Sequence, residues 1–308
     1  MTMNNIIPND SFLELFIAVP IPLCLVSDTG DFLKMNKRFI DVFGYDIHDL
    51  QTIEDWWPLA YPDPTYRLWV IATWDMAVQA AEIEGRDITA QEYLVSCKNG
   101  TVLEMEISGA KLMNGFLATF IDVTKRNTAQ RELNRIAMMD NLTKLPNRMY
   151  IESLRDRFLA KLQRDHGYGA YMVIDLDHFK QLNDTHGHCA GDLLLIEVAQ
   201  RIQSVLRTTD VVARFGGDEF IILLESLASD LSIAVSQSLG IAEKVRESLA
   251  RTYCLQLSNQ TIEHQCFGCI GVTIITPTDH DISLAFERAD KAMYEAKKAG
   301  KNRVHLLI

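Results

Sequence analysis

The 308-residue chain has no surplus of basic charge, no long uninterrupted apolar run, no ordered cysteine framework and no repeated or low-complexity tract. Each absence removes a class of function. A formal net charge of −11 opposes broad binding along a phosphate backbone, although a nucleotide site needs only a few local cations and a metal. The opening residues Met1-Thr2-Met3-Asn4-Asn5 do not lead a basic cluster into an apolar stretch, so no signal peptide is expected. The apolar run from Leu13 to Val26 contains Glu14, is broken by Pro20 and Pro22, and is too short to span a bilayer. With no spanning segment elsewhere, the expectation is a soluble, cytoplasmic chain with neither membrane nor nucleic acid as a partner.

The cysteines Cys24, Cys97, Cys189, Cys254, Cys266 and Cys269 are scattered. Cys266 and Cys269 form a C-x-x-C, but they lie where a strand begins, and residues three apart on a strand point to opposite faces. No second pair completes a zinc site. These are expected to be incidental strand cysteines.

The length suits two domains. In the first, strands are predicted over 23–28, 32–35, 92–97, 102–107 and 117–122, with a helix near 36–43 and small helices between the strands. Asp28-Thr29-Gly30-Asp31 and Lys98-Asn99-Gly100 supply turns. Residues 123–139 lack Gly and Pro, are densely charged, and repeat Leu133 and Ile136 at helical spacing, the pattern of a connecting helix. Thereafter helices and strands alternate to the end: strands at 171–175, 220–224 and 270–275, helices at 192–206, 239–249 and 282–299. The expected fold class is therefore α+β and α/β in two domains, a 11–122 antiparallel sheet domain and a 140–308 α/β domain joined by the helix.

The chemistry concentrates at Arg214-Phe215-Gly216-Gly217-Asp218-Glu219-Phe220. Two glycines between apolar strands permit positive φ and close approach to a ligand. Two carboxylates follow with nothing obvious to neutralise them. The strand 171–174 ends in Asp175, and Asp177 shares its face. If the two strands are neighbours, Asp175 and Asp218 meet at one sheet edge, and clustered carboxylates there suit Mg²⁺ beside substrate phosphates. Taken alone, a Gly-Gly-Asp-Glu turn is an ordinary hairpin.

It does not stand alone. Asp140-Asn141-Leu142-Thr143-Lys144-Leu145-Pro146-Asn147-Arg148 resembles D-x-L-T-x-L-x-N-R, and Asp175-Leu176-Asp177-His178-Phe179-Lys180 resembles D-x-D-x-F-K. Asn183-Asp184, Gly187-His188-Cys189-Ala190-Gly191-Asp192, and the terminal Arg288-Ala289-Asp290, Tyr294, Lys297 and Gly300-Lys301-Asn302 continue the match. Together these resemble the GGDEF domain over about 170 residues. The resemblance implies a diguanylate cyclase, whose fold is similar to the nucleotidyl cyclase catalytic core.

By that resemblance, Asp175, the carbonyl of Leu176 and Asp218 would hold two Mg²⁺ (or Mn²⁺) ions. Glu219 would be base or further ligand, Lys180 a catalytic phosphate contact, and Lys297 and Lys301 further phosphate contacts. Asn183 and Asp192 would read guanine, supported by His188. For each lysine a solvated surface role remains the alternative. Arg207-Thr208-Thr209-Asp210 resembles the family's R-x-x-D site, where the product cyclic di-GMP would bind at Arg207 and Asp210 and inhibit. By itself such a pair is a common surface ion pair. Lys244 and Arg246 are candidates for an additional cation there. Each domain would hold one GTP, so a homodimer is implied.

The first domain resembles a PAS sensory domain at Pro22–Val26, the Asp-Thr-Gly turn, Met35-Asn36, Phe39, Phe43-Gly44-Tyr45, Asp49-Leu50 and Asp122-Val123-Thr124. Trp56, Trp57, Trp69 and Trp74 all fall in it, either as core or dimer packing or as the lining of a ligand pocket. No flavin-binding cysteine motif is visible, and His48 sits in an exposed-looking segment, so neither flavin nor haem is expected. A small-molecule PAS ligand remains open. Two other functions also remain open: a non-catalytic receptor for GTP or cyclic di-GMP, and cyclisation of a single nucleotide. No E-A-L or other phosphodiesterase signature is present, so degradation of cyclic di-GMP is not expected.

Overall fold

The computed structural model describes residues 9–257 and 260–308; the opening residues assessed for a signal peptide lie outside the described residues. The chain divides after Leu133 into two compact units.

The first unit begins with helix α1 (Asn9–Ala18) and strands β1 (Leu23–Ser27) and β2 (Phe32–Met35). Asn36 then starts α2 (Lys37–Phe43). Its side chain accepts from the amides of Phe39 and Leu23 and donates to the carbonyls of Ile21 and Phe16. A fully buried amide is thereby satisfied on every side, capping a helix and pinning the chain before β1. Gly44, at φ 78°, ends α2. Helices α3 (Ile53–Ala60) and α4 (Pro64–Glu84) follow. The latter is capped by Asp63, opens with Pro64 and stops at Gly85. At 21 residues it is far longer than the small helices expected between the strands.

Strands β3 (Ile88–Ser96), β4 (Val102–Leu112) and β5 (Gly115–Asp122) complete an antiparallel sheet of order β2-β1-β5-β4-β3. All the expected strands are present, β3 and β4 longer than the alternation implied. The core under the helices is aromatic: Phe39 makes edge contacts with Phe43 and Phe120, and Trp56 packs on all three. Trp56, Trp57 and Trp74 are buried, Trp69 is half exposed, and His48 is exposed.

Helix α5 (Thr124–Ala137) follows, shorter than the 123–139 span. Its first turns are held by ion pairs of Arg126 with Glu92 and Arg131 with Glu104. Leu133 and Ile136 are exposed.

The second unit comprises α6 (Arg148–Asp165), β6 (Tyr168–Asp177), α7 (Phe179–His186), α8 (His188–Val205), β7 (Val211–Gly216), β8 (Glu219–Leu227), α9 (Leu231–Leu249), β9 (Tyr253–Leu257), β10 (Gln260–His264), β11 (Phe267–Ile275), α10 (Ile282–Lys298) and β12 (Val304–Leu306). Its main sheet runs β12-β11-β6-β8-β7, antiparallel except for β11 with β12, while β9 and β10 form a separate hairpin. The central strand β6 is covered on both faces, hence its continuous apolar run. Met172, Ile174 and Leu176 enter one core with α8 and α9, and Tyr171 and Val173 enter the other with α6 and α10. A Cβ at Gly271 would meet the carbonyl of Ala289 at 2.0 Å, so only glycine lets α10 lie this close to β11. Cys266 and Cys269 are both buried, in the cores on opposite faces of the sheet.

Among the described residues no helix is long and apolar enough to cross a membrane.

Candidate functional site

Strands β6 and β8 are neighbours, and their register sets Asp175 opposite Glu219. The amide of Leu176 donates to the carbonyl of Asp218 at 3.3 Å. Three carboxylates from two distant stretches of sequence therefore meet at one sheet edge. In the intervening turn only Gly217 takes a positive φ (53°). Gly216 does not, and a Cβ there would meet nothing within 4 Å, so it leaves open space beside the carboxylates.

The turn is braced from behind. Arg214 donates to the Gly217 carbonyl from Nε at 3.0 Å and Nη2 at 2.8 Å, and its Nη1 reaches both carboxylate oxygens of Asp140 at 3.2 Å. Asp140 also accepts from the amide and hydroxyl of Thr143. Burial works against its charge, but the Thr143 hydrogen bonds and the guanidinium outweigh it and hold its pKa below the usual aspartate value. The segment 140–148 is thus a clamp on the Gly-Gly turn, a role for Asp140 and Arg214 that residue types alone did not disclose.

Lys297, in the last turn of α10, places Nζ 2.7 Å from Asp175 Oδ2. Burial, and then the nearby Asp218 and Asp177, push Asp175 up from the ordinary aspartate value despite this ammonium. Glu219 is likewise raised, by burial and by repulsion from Asp175, Asp218 and Asp290. The Lys297 pKa rises, because the Asp175 carboxylate outweighs the cost of its burial. This edge carries more negative charge than Lys297 offsets. Among the described residues no three His, Cys, Asp or Glu side chains form a ready-made metal-binding group. The donors at hand are two aspartates and the Leu176 carbonyl. That hard-oxygen set fits Mg²⁺, which retains several waters and rests on one or two carboxylates.

Asp177 faces the same way as Asp175 but is buried, 4% exposed. Its Oδ2 accepts from the Asn302 amide at 3.2 Å, and both oxygens lie 3.4 Å from the Cys269 thiol. It anchors the loop in which Lys301 and Asn302 take left-handed φ values of 62° and 43°. Lys301 Nζ in turn lies 3.5 Å from His178 Nε2. The sequence pattern puts Asp177 on the Asp175 face but gives no sign of its anchoring role, and the positive φ of His178, 64°, is visible only in the fold. Lys180 is exposed on the first turn of α7.

Helices α7 and α8 meet at Asn183 and Gly191. A Cβ at Gly191 would sit 2.0 Å from Asn183 Oδ1, so glycine makes room for that amide. Asn183 Oδ1 is buried with no hydrogen-bond partner among the described residues, an acceptor left open for a donor. Asp192 and His188 are exposed at the start of α8.

Arg207 and Asp210 occupy the turn between α8 and β7, on a different part of the unit. Asp210 accepts from the Arg207 amide at 3.0 Å, and burial raises its pKa. A cavity there is lined by Pro146, Tyr150, Gln203, Arg207 and Asp210 among others. Lys244 and Arg246 do not line it; Arg246 is engaged with Glu243 and Asn302.

Residues 137–303 match the family described as diguanylate cyclase, GGDEF domain. Over 187 residues (60% of this chain and 25% of the relative) the chain is 37% identical to the bifunctional diguanylate cyclase/cyclic di-GMP phosphodiesterase MucR of Pseudomonas aeruginosa. Over 138 residues (44% and 34%) it is 41% identical to diguanylate cyclase A of Treponema denticola. The matched region thus spans about a third or less of either relative's length. Among solved structures, the coiled coil and GGDEF domain of DgcB from Caulobacter crescentus, in complex with c-di-GMP, superposes with a TM-score of 0.53 at 28% identity, covering 60% of this chain and 93% of that one.

Proposed function

Since the chain belongs to the GGDEF-domain diguanylate cyclase family, we propose that it condenses two GTP molecules into cyclic di-GMP. The observation carrying this reading is the meeting of Asp175, Asp218 and Glu219 at one sheet edge beside Lys297. In each half-reaction the 3′-oxygen of one GTP bonds to the α-phosphorus of the other, its proton leaves, and the bond to pyrophosphate breaks. Two such steps yield one cyclic dinucleotide and two pyrophosphates, so two chains must face each other as a homodimer.

Glu219, its carboxyl raised by burial and neighbouring charge, suits the proton acceptor from the 3′-hydroxyl. Lys297 would exchange Asp175 for phosphate when nucleotide enters, and Lys180 and Lys301 would balance charge growing on the phosphates. Asn183 Oδ1 would accept from the guanine edge, Asp192 would accept beside it, and His188 would border the pocket. Magnesium, two ions per site and replaceable by manganese, would be held by Asp175, Asp218 and the Leu176 carbonyl, supplying polarisation of the α-phosphate and a more acidic 3′-hydroxyl.

The cavity at Arg207 and Asp210 would take the product and slow the enzyme: the guanidinium suits a phosphate or guanine acceptor, and Asp210 a guanine donor. Residues 11–122 would be a PAS-like sensory domain, 123–139 its output helix and 140–308 the cyclase. The five-stranded antiparallel sheet with helices inserted after β2 supports this assignment. The cavity among Trp56, Trp57, Tyr61, Trp74 and Phe120 is about 30 Å³, so a small apolar ligand would enter only if these side chains moved apart. A GTP-consuming enzyme of this kind would work in the cytoplasm.

Purified protein incubated with GTP and Mg²⁺, with products resolved by chromatography, tests the reading. Cyclic di-GMP and pyrophosphate in a one-to-two ratio are expected. GTP that binds and is returned unchanged, with or without Arg207→Ala, would make the chain a receptor instead.

A further inference from the structure

Helix α4 has two apolar faces. Val70, Trp74 and Ala81 are buried inward. On the outward side Trp69, Ala72, Met76, Gln79 and Ile83 are all exposed, at spacings of three, four, three and four residues. That is the seam of a two-helix packing, with large apolar residues seven apart at 69, 76 and 83. A helix that is apolar on all but a narrow band is a buried helix, yet Trp69, Met76 and Ile83 are 50%, 61% and 85% exposed and neighbouring Leu68 is 69% exposed. These four side chains leave on the order of 500 Å² in water, above the few hundred at which an apolar patch marks an interaction site. That is more than half of the ~800 Å² each partner of a standard interface buries.

We infer that this face of α4 docks on the same face of a second copy of this chain. Three observations select that occupant. The heptad seam is self-complementary, as a two-fold interface requires. The seam carries no charge along 69–83 except at its borders, where Asp75 and Glu82 are acidic, so an anionic lipid surface is repelled. Ala72 allows close approach, and Gln79 is a single amide that can pair with its own copy and fix register. The inference rests on the cyclase reading only for the need that two chains meet; the seam itself stands on geometry.

The measurement is sedimentation velocity of the full chain across a concentration series, for wild type and for a Met76→Glu, Ile83→Glu double variant, with melting curves alongside. Both sites are exposed in the single chain, so the variant is expected to melt as wild type does at concentrations where both are monomeric, while its dimer dissociation constant rises at least tenfold. Cyclic di-GMP formed per chain at micromolar protein should fall with the dimer fraction and recover as concentration is raised. A monomeric wild type, an equally stable variant dimer, or wild-type binding to phosphatidylserine vesicles that the double variant loses would each overturn the inference. Should the variant lose a melting transition, Gln79→Cys replaces it: oxidation must give a covalent dimer in high yield, and a failure to cross-link overturns the seam. A wild type that dimerises through the seam but makes no cyclic di-GMP would refute the cyclase reading and leave the seam in place.

Discussion

Lys297 and Asp175 are joined by a 2.7 Å ion pair at the edge where Asp218 and Glu219 also end. The ammonium is the counter-charge to a carboxylate that the fold buries at a cost. Adding nucleotide and metal offers both partners better company. Lys297→Met is therefore expected to lower kcat/KM about 10²–10³-fold, the loss typical of one preorganised donor. The same variant should melt lower than wild type without divalent cations, and regain part of the difference on adding Mg²⁺. A variant with wild-type kcat/KM would leave Lys297 as a structural counter-ion only.

Glu219 has the opposite balance. Burial and three neighbouring carboxylates disfavour its charge, so the charge is kept at a cost to the fold. Glu219→Gln is isosteric and removes repulsion, and is expected to match or exceed wild type in melting temperature. Turnover should fall by about 10²–10⁴-fold, the usual share of a general base, while GTP still binds. Calorimetric titration of GTP into the variant, beside a product assay, separates the two effects; loss of binding together with turnover would assign Glu219 to holding the nucleotide complex rather than to proton transfer.

At the Arg207–Asp210 cavity the expected change is in regulation alone. Arg207 is exposed and its side chain lies in a different part of the unit from the carboxylates. Arg207→Ala should retain the initial rate of wild type, and its progress curves should stay linear where wild type slows as product accumulates. Rates measured with added cyclic di-GMP check this directly. Equal inhibition of both proteins would move the product site elsewhere.

Much of the second unit was legible because its chemistry sits in short contiguous motifs at strand ends. The D-x-D of β6 and the Gly-Gly-Asp-Glu turn each announce an edge, and only their adjacency had to come from the sheet register. Alternation on β6 was masked by burial of both its faces, so its start was read three residues late. The clamp of Asp140 on Arg214 spans 74 residues, and no local pattern reports such a pairing. Asp177 is similar: its partner Asn302 is 125 residues away. In the first unit the length of α4, 21 residues where only small helices are expected, was not legible for a physical reason. Apolar residues on two faces leave no amphipathic period to detect, and the feature that hid the helix is the one that leaves its outer seam exposed.

The Asp140–Arg214 pair gives a pH-dependent test of how the turn is held. Asp140 titrates below the usual carboxylate range in the folded chain. A carboxylate lowered by folding adds stability above its unfolded pKa of about 3.9, and that contribution is lost as pH falls through the lower folded value. Asp140→Asn keeps the shape and removes the charge. At pH 7 it is expected to cost about 1–2 kcal/mol, seen as a fall of roughly 2–8 °C in the melting midpoint of the second unit. The gap between the two proteins should narrow on acidification through the carboxylate range and close below it. Because Arg214 also grips the Gly217 carbonyl, the variant should lose turnover at pH 7 more than it loses GTP affinity. Equal melting of the two proteins at every pH would mean that the Thr143 hydrogen bonds, which an asparagine can still accept, hold the clamp without help from the charge.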